Sequence, residues 1–243
     1  MTTNVRVADQ IIEQLEREGV THIFGVPGAP LTPFFAALRA RSRIKFVMAR
    51  HEEGAAYMAN AFARVSGGLA VCCVTSGPGA TNALTGAACA HADSLPVLYL
   101  TGQVATRVFG MGAIQESTAH GVDVVSMFRP VTKVSTMLSS PETSLRIVRN
   151  AIRAATNGRP GPVHINVPTD LARSAVAYDV LDRSCYQQAL KGVASAQDIA
   201  SAATLLSAAK RPTIFAGHGV ALANAESALV QLAERLDAAV ITS

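Results

Sequence analysis

The stretch Leu69-Ala70-Val71-Cys72-Cys73-Val74-Thr75-Ser76-Gly77-Pro78-Gly79-Ala80-Thr81-Asn82 decides the fold. Its first seven residues are almost wholly apolar with no polar alternation, which marks a strand covered on both faces, as in the middle of a parallel sheet. The Ser-Gly-Pro-Gly turn then feeds small residues at helical spacing, predicting a helix from about Ala80 to Ala92. Parallel strands cannot be joined by a tight hairpin, and such a helix is the crossover they need.

The same grammar extends outward in both directions. Upstream, a helix is expected from Val7 to Glu18, with Val7, Ile11, Ile12 and Leu15 on one face. A strand follows over Thr21–Gly25, then a Pro/Gly turn from Val26 to Pro30 and a helix through Phe34, Phe35 and Leu38. Lys45–Ala49 reads as a strand and His51 to about Val65 as a helix. Downstream, Pro96–Thr101 reads as a buried strand. Ser140 followed by Pro141 reads as a cap and first-turn proline opening an amphipathic helix to about Asn157, with Leu145, Val148, Ile152 and Ala155 inward. Val163–Val167 returns as a strand. Periodicity fades over residues 173–192, read as a linker. It then restarts as helix Ala196–Ala209, strand Pro212–Ala216, helix Ala223–Leu236 and strand Ala238–Thr242. The expectation is an α/β fold: a parallel sheet flanked by helices over residues 1–172, then an incomplete second α/β domain over 193–243.

Composition agrees with that class. Of 243 residues 49% are hydrophobic and 5% aromatic, so the core must be built of aliphatic and small side chains. The net charge of +4 is spread among acidic residues, without basic runs or interleaved aromatics, which argues against nucleic acid. Cys72 and Cys73 are adjacent inside an apolar run, while Cys89 and Cys185 stand alone, so no zinc spacing occurs and a reducing compartment is expected. Met1 to Arg6 has no apolar leader segment, and no apolar stretch is long enough to span a bilayer. A cytoplasmic protein without membrane attachment is expected.

In open α/β sheets ligands bind beyond the carboxyl ends of the strands. Three segments fall there: Val26 to Pro30, Arg50-His51-Glu52-Glu53, and Thr75 to Asn82. The Ser76–Asn82 turn lets a ligand approach the backbone, or it is an ordinary strand-to-helix turn. It is neither a Walker loop nor a dinucleotide fingerprint. Glu52, in the first turn of a helix, could simply complement the helix dipole, as could Glu53. The small residues Gly54, Ala55 and Ala56 beside it allow close approach of another element or of a ring. His51 is open to either a structural or a functional role.

These segments together resemble the pyrimidine-binding domain of thiamine-diphosphate enzymes of the acetolactate synthase (large subunit) type. The resemblance rests on Phe24-Gly25-Val26-Pro27-Gly28, Arg50 to Ala59, Thr75 to Asn82, Thr101-Gly102-Gln103, Gln115-Glu116 and Gly158 to Val163, which occur in the family's order. It implies that Glu52 hydrogen-bonds N1′ of the cofactor's aminopyrimidine and is the catalytic carboxylate; a carboxylic acid in a water-poor site can share a proton with such a ring. It also implies that Pro27, Gly28, Thr75, Pro78, Asn82 and Gln115 contact thiamine diphosphate or line its pocket. Ile114 and Gln115 would border the substrate. Ile114 replaces a usual Phe, Thr169 a usual Lys and Val26 a frequent Tyr, so the substrate pocket differs more than the cofactor machinery.

The second unit resembles the start of the family's central domain, leaving open a flavin contacted by Arg159, Gly217 and Gly219, or a plain glycine turn without FAD. Gly-Asp-Gly, which carries the diphosphate's metal in the family, occurs nowhere here. The resemblance therefore implies that Mg2+ ligands come from outside this chain, from the rest of a longer enzyme or from a separate polypeptide. It also implies a homodimer or higher oligomer with the active site at the subunit interface. The activity expected is decarboxylation and carboligation of a 2-keto acid such as pyruvate. The alternatives are a related decarboxylase or acyltransferase of specialised metabolism, or a non-catalytic subunit that only assembles with a partner; a dehydrogenase fits worst.

Overall fold

The computed structural model describes residues 4–40, 43–187 and 194–243. The chain forms two compact units, residues 1–190 and 191–243. The first contains β1 (Asn4–Arg6), α1 (Val7–Arg17), β2 (His22–Gly25), α2 (Thr32–Ala40), β3 (Lys45–Met48), α3 (Glu52–Ser66), β4 (Ala70–Val74), α4 (Pro78–Ala92), β5 (Val97–Gln103), α5 (Val124–Phe128), β6 (Val134–Met137), α6 (Ser144–Thr156), β7 (Val163–Pro168), α7 (Thr169–Arg173) and β8 (Ala175–Ala177). The second contains α8 (Ala196–Ala208), β9 (Thr213–Ala216), α9 (Gly219–Leu222), α10 (Glu226–Leu236) and β10 (Ala239–Thr242).

Six strands make one parallel sheet in the order β3-β2-β4-β5-β7-β6. Alternate residues of each strand feed opposite cores. Val71 and Cys73 of β4, with Leu98 and Leu100 of β5, pack on the side of α1, α2 and α6. Ala70, Cys72 and Val74, with Val97 and Tyr99, pack on the side of α3, α4 and α5. On the second side the contact between the two helices α3 and α4 is built of alanine, Ala55, Ala56, Ala59 and Ala63 facing Ala80, Ala83, Ala87 and Ala90. Helices without bulky side chains between them approach closely: a Cβ on Gly86 would fall 2.3 Å from that of Ala56. Asn60 crosses this contact, donating to the Gly86 carbonyl at 2.8 Å and accepting from the Tyr99 hydroxyl at 2.9 Å.

The strand order positions the site. The connection from β2 to β3 runs over one face through α2, whereas β4 leaves over the other face through α4. Neighbouring strands whose connections part in this way open a crevice at their carboxyl ends. A second such parting lies between β5, which leaves toward α5, and β7, which leaves toward α7.

Three sequence expectations are corrected. The helix expected from Ser140–Pro141 begins at Ser144, because residues 140–143 form their own turn: Ser144 N–H reaches the Pro141 carbonyl (3.3 Å) and its hydroxyl the Ser140 carbonyl (2.7 Å). The last long helix begins at Glu226 rather than Ala223, since Asn224 turns the chain with φ +50°. The supposed linker 173–192 is, over its described part, bound structure. β8 pairs antiparallel with β1. Past it, Gln14 takes the Leu181 carbonyl (2.9 Å) and the Leu181 N–H (3.1 Å). Glu18, pushed toward its protonated form chiefly by burial, accepts from Tyr186 and from Gln187. Residues 188–192 of that segment, residue 193 at the expected domain start and residues 1–3 at the amino terminus lie outside the described residues. Residues 104–139, without a sequence assignment, contain α5 and the edge strand β6.

Among the described residues no helix is long and apolar enough to cross a membrane.

Candidate functional site at the first crevice

Glu52 is the first residue of α3, and His51 caps that helix, its Nδ1 accepting from the Glu53 N–H at 3.3 Å. His51 thus has a structural role. Glu52 itself does more than face a helix end. Its Oε2 accepts from Asn82 Nδ2 of α4 at 3.0 Å, which fixes the carboxylate against the neighbouring helix. Oε1, with no hydrogen bond among the described residues, lies 3.2 Å from where a Cβ on Gly79 would stand. A carboxylate serving only the dipole would not need the second helix.

The loops after β2 and β4 meet at the same place. A Cβ on Gly28 would fall 2.2 Å from Thr75 Oγ1, and one on Gly79 would fall 2.6 Å from Thr75 Cγ2. Only glycine lets these backbones lie against the Thr75 side chain. Pro27 precedes Gly28 on the exposed rim, and Pro78 opens α4, exposed. The structure therefore brings together Gly28, Glu52, Thr75, Pro78 and Asn82, and adds Gly79, which sequence reasoning quoted without singling out.

Gln115 arrives from a different direction. It sits on the 110–121 segment with φ +60°, against Gly77, whose own φ is +57°. A Cβ on Gly77 would lie 3.1 Å from that of Gln115. Neighbouring Ile114 is 86% exposed and encloses nothing among the described residues. Glu116 braces this segment, accepting from the Gly110 N–H at 2.9 Å and from the Thr118 hydroxyl, contacts that hold its carboxyl below the usual range.

The second crevice is plugged by the chain itself. Ser117, 1% exposed, is inserted there among Gln103, Asn166 and Ser76, all wholly buried. Beneath it, His164 spans Thr101 Oγ1 and Ser135 Oγ, each 2.8 Å away, and stacks on Phe128. The Ser135 hydroxyl donates to the Val125 carbonyl at 2.7 Å, so His164 must donate from Nδ1 and accept at Nε2. Burial pulls its pKa down to about 3, keeping the ring neutral. Beside the plug lies a cleft of about 320 Å³ lined by Ala105, Arg107, Thr169, Asp170, Arg173 and Ser174.

The flavin candidates do not join the Glu52 cluster. Arg159 lies in the loop entering β7, at the amino ends of the strands and so away from the crevice, with Nε on Ser94 Oγ at 2.6 Å. In the second unit Gly217 follows β9 and Gly219 opens α9. No group of three His, Cys, Asp or Glu side chains suited to a metal occurs among the described residues.

Comparison with known proteins bears on this geometry. Residues 5–127 match the family model "Thiamine pyrophosphate enzyme, N-terminal TPP binding domain" and residues 199–243 match that of the "central domain". The chain is 42% identical over 242 residues to the probable acetolactate synthase large subunit of Methanocaldococcus jannaschii, covering 97% of this chain and 40% of that protein. It is 36% identical over 228 residues to the acetolactate synthase isozyme 1 large subunit of Escherichia coli K12, covering 94% and 39%. It is 35% identical over 238 residues to the glyoxylate carboligase of Escherichia coli O157:H7, covering 98% and 39%. The chain thus spans about two fifths of the length of these curated relatives. With the Glu52 crevice lying inside the first matched segment, the chain belongs to the thiamine pyrophosphate enzyme family.

Proposed function

We propose that this chain supplies the pyrimidine-binding half of a site that decarboxylates a 2-keto acid such as pyruvate and joins the resulting fragment to a second carbonyl compound. The observation that carries this reading is the Glu52 carboxylate, anchored through Oε2 by Asn82 and open at Oε1 over the side-chain-free backbone of Gly79. The residues fit a flat, hydrogen-bonding ring: Gly28 and Gly79 leave the approach bare on either side of Thr75, and Oε1 is an acceptor awaiting a donor. Thiamine diphosphate, when bound, supplies a nucleophilic carbon and an electron sink for the departing carboxylate. Glu52 would bind the ring nitrogen and hold a proton at Oε1, while Asn82 keeps the carboxylate from rotating away. Gln115, presented at the rim by the 110–121 segment, would face the reacting end. Mg2+ held from outside this chain, and assembly as a dimer or higher with the site at the interface, belong to the same reading. The similarity to both acetolactate synthases and a glyoxylate carboligase supports carboligation without choosing the acceptor.

Calorimetric titration of thiamine diphosphate with Mg2+ into the protein, repeated with Glu52→Gln, tests the reading. Loss of one charge-assisted hydrogen bond should weaken binding about tenfold, and loss of the proton-holding group should lower turnover by roughly 10²–10⁴-fold. Binding indifferent to the substitution would remove the role given to Glu52. Product analysis with pyruvate then separates the outcomes: acetolactate marks carboligation, and free aldehyde alone moves the reading to a decarboxylase.

A further inference from the structure

We infer that Ser117 is a positioning residue: it locks the Gly77 turn, which opens α4, to the segment that carries Gln115, and so sets the spacing between two walls of the site. The inference rests on the cofactor reading for its functional consequence, but its geometry stands apart from that reading.

Ser117 ties four segments together. Its Oγ accepts from the Gly77 N–H at 2.6 Å and donates to the Gln115 carbonyl at 3.0 Å. Its own N–H donates to Gln103 Oε1 at 3.1 Å, and its carbonyl accepts from Asn166 Nδ2 at 3.5 Å. One hydroxyl therefore joins the two residues of the site that sit at positive φ, Gly77 and Gln115. For Gln115 that backbone is costly and persists only where the surroundings impose it. The Oγ–H bond to its carbonyl, with the Glu116 N–H on the Ala113 carbonyl (3.1 Å), is what imposes it.

The location adds a second argument. Ser117 is seated in the crevice between β5 and β7, while its hydroxyl reaches the loop bordering the crevice between β2 and β4. One crevice of the sheet is filled by the chain so that the other can be framed. Without the Ser117 oxygen, the buried Gly77 N–H has no other acceptor among the described residues, and an unpaired buried donor is strongly disfavoured. The Gly77 turn would shift to find one, carrying Pro78 and Gly79 with it.

The test follows the Gly77 amide by NMR in the unaltered protein and in Ser117→Ala, Thr118→Ala and Glu52→Gln, with thiamine diphosphate titrated into each. Thr118→Ala loosens the same segment through Glu116 without touching Gly77. In the unaltered protein the Gly77 amide should resonate downfield and exchange slowly. Ser117→Ala should move it upfield, speed its exchange about tenfold or more, leave the Ile165 amide in β7 unchanged, and weaken cofactor binding about tenfold. Thr118→Ala should change neither Gly77 nor binding. A fast-exchanging Gly77 amide in the unaltered protein overturns the clamp, even if Ser117→Ala does not fold. So does a Gly77 amide unmoved by Ser117→Ala, or one moved equally by Thr118→Ala. If Ser117→Ala spares binding while Glu52→Gln weakens it, the positioning role is overturned. If neither variant alters binding, it is the cofactor reading that fails, and the Gly77 amide alone decides the clamp.

Discussion

Residues 70–74 and 239–242 read alike as short apolar strands, yet every residue of the first is buried and every residue of the second is exposed. The same contrast holds between their units. The first unit has two cores, one on each face of its sheet, whereas Ala216 is the sole buried residue described in the second. β10 pairs with β9 in register, Val240 beside Ile214, but the pair leaves Phe215 and Ile241 largely exposed. Strand–helix alternation thus specifies how a segment folds locally. Burial requires further strands and a helix layer on each side, which β4 has in β2 and β5, in α3 and α4 on one face and in α1, α2 and α6 on the other.

Hydrogen exchange offers the sharpest way to break this comparison. Amides of β4, β5 and β7 should exchange at least roughly a thousandfold slower than those of β9 and β10, since the former open only with their whole unit. Equal protection would show the second unit to be as cooperative as the first. A matched pair of truncations gives a smaller effect. Leu100→Ala, at a wholly buried position of β5, should cost about 2–5 kcal/mol. Ile241→Ala, at a position 52% exposed, should cost less than about 1 kcal/mol. Denaturant midpoints measure both, and similar losses would contradict the difference in burial.

A last test concerns an ionisable group that only the first unit could shelter. His164 is held at a pKa of about 3 when folded against an ordinary 6.5. Below pH 6.5 the unfolded chain takes up a proton that the folded one refuses, so stability falls as pH drops toward 3. Relative to His164→Gln, the slope should reach up to about 1.4 kcal/mol per pH unit in that window. Parallel stability curves for the two proteins would show that His164 is not kept neutral.

Much of the first unit was legible in the sequence because its strands are unbroken apolar runs and its helices keep a clear apolar face, as at Leu145, Val148, Ile152 and Ala155. The placement of Glu52 in the first turn of a helix, after a strand and among small residues, was legible. What stayed hidden depends on distant partners. β6 is half-buried along its length and shows no alternation, and β8 is three residues defined only by pairing with β1. Asn82 was expected to touch a cofactor, and its grip on Glu52 lies 30 positions away in sequence. Ser117 sits in a polar stretch where nothing nearby announces Gly77 as its partner.

The β1–β8 pair gives the molecule a timetable. Asn4 to Arg6 leave the ribosome some 170 residues ahead of their partners Ala175 to Ala177, which at 5–20 residues per second is a gap of roughly 10–30 s. During that wait Gln10 and Gln14, buried in the finished unit, lack the carbonyls and N–H groups at residues 176–181 that will hold them. Helix α1 is therefore satisfied well after it is made, and chaperones that shield nascent chains would meet it with its polar seam still open.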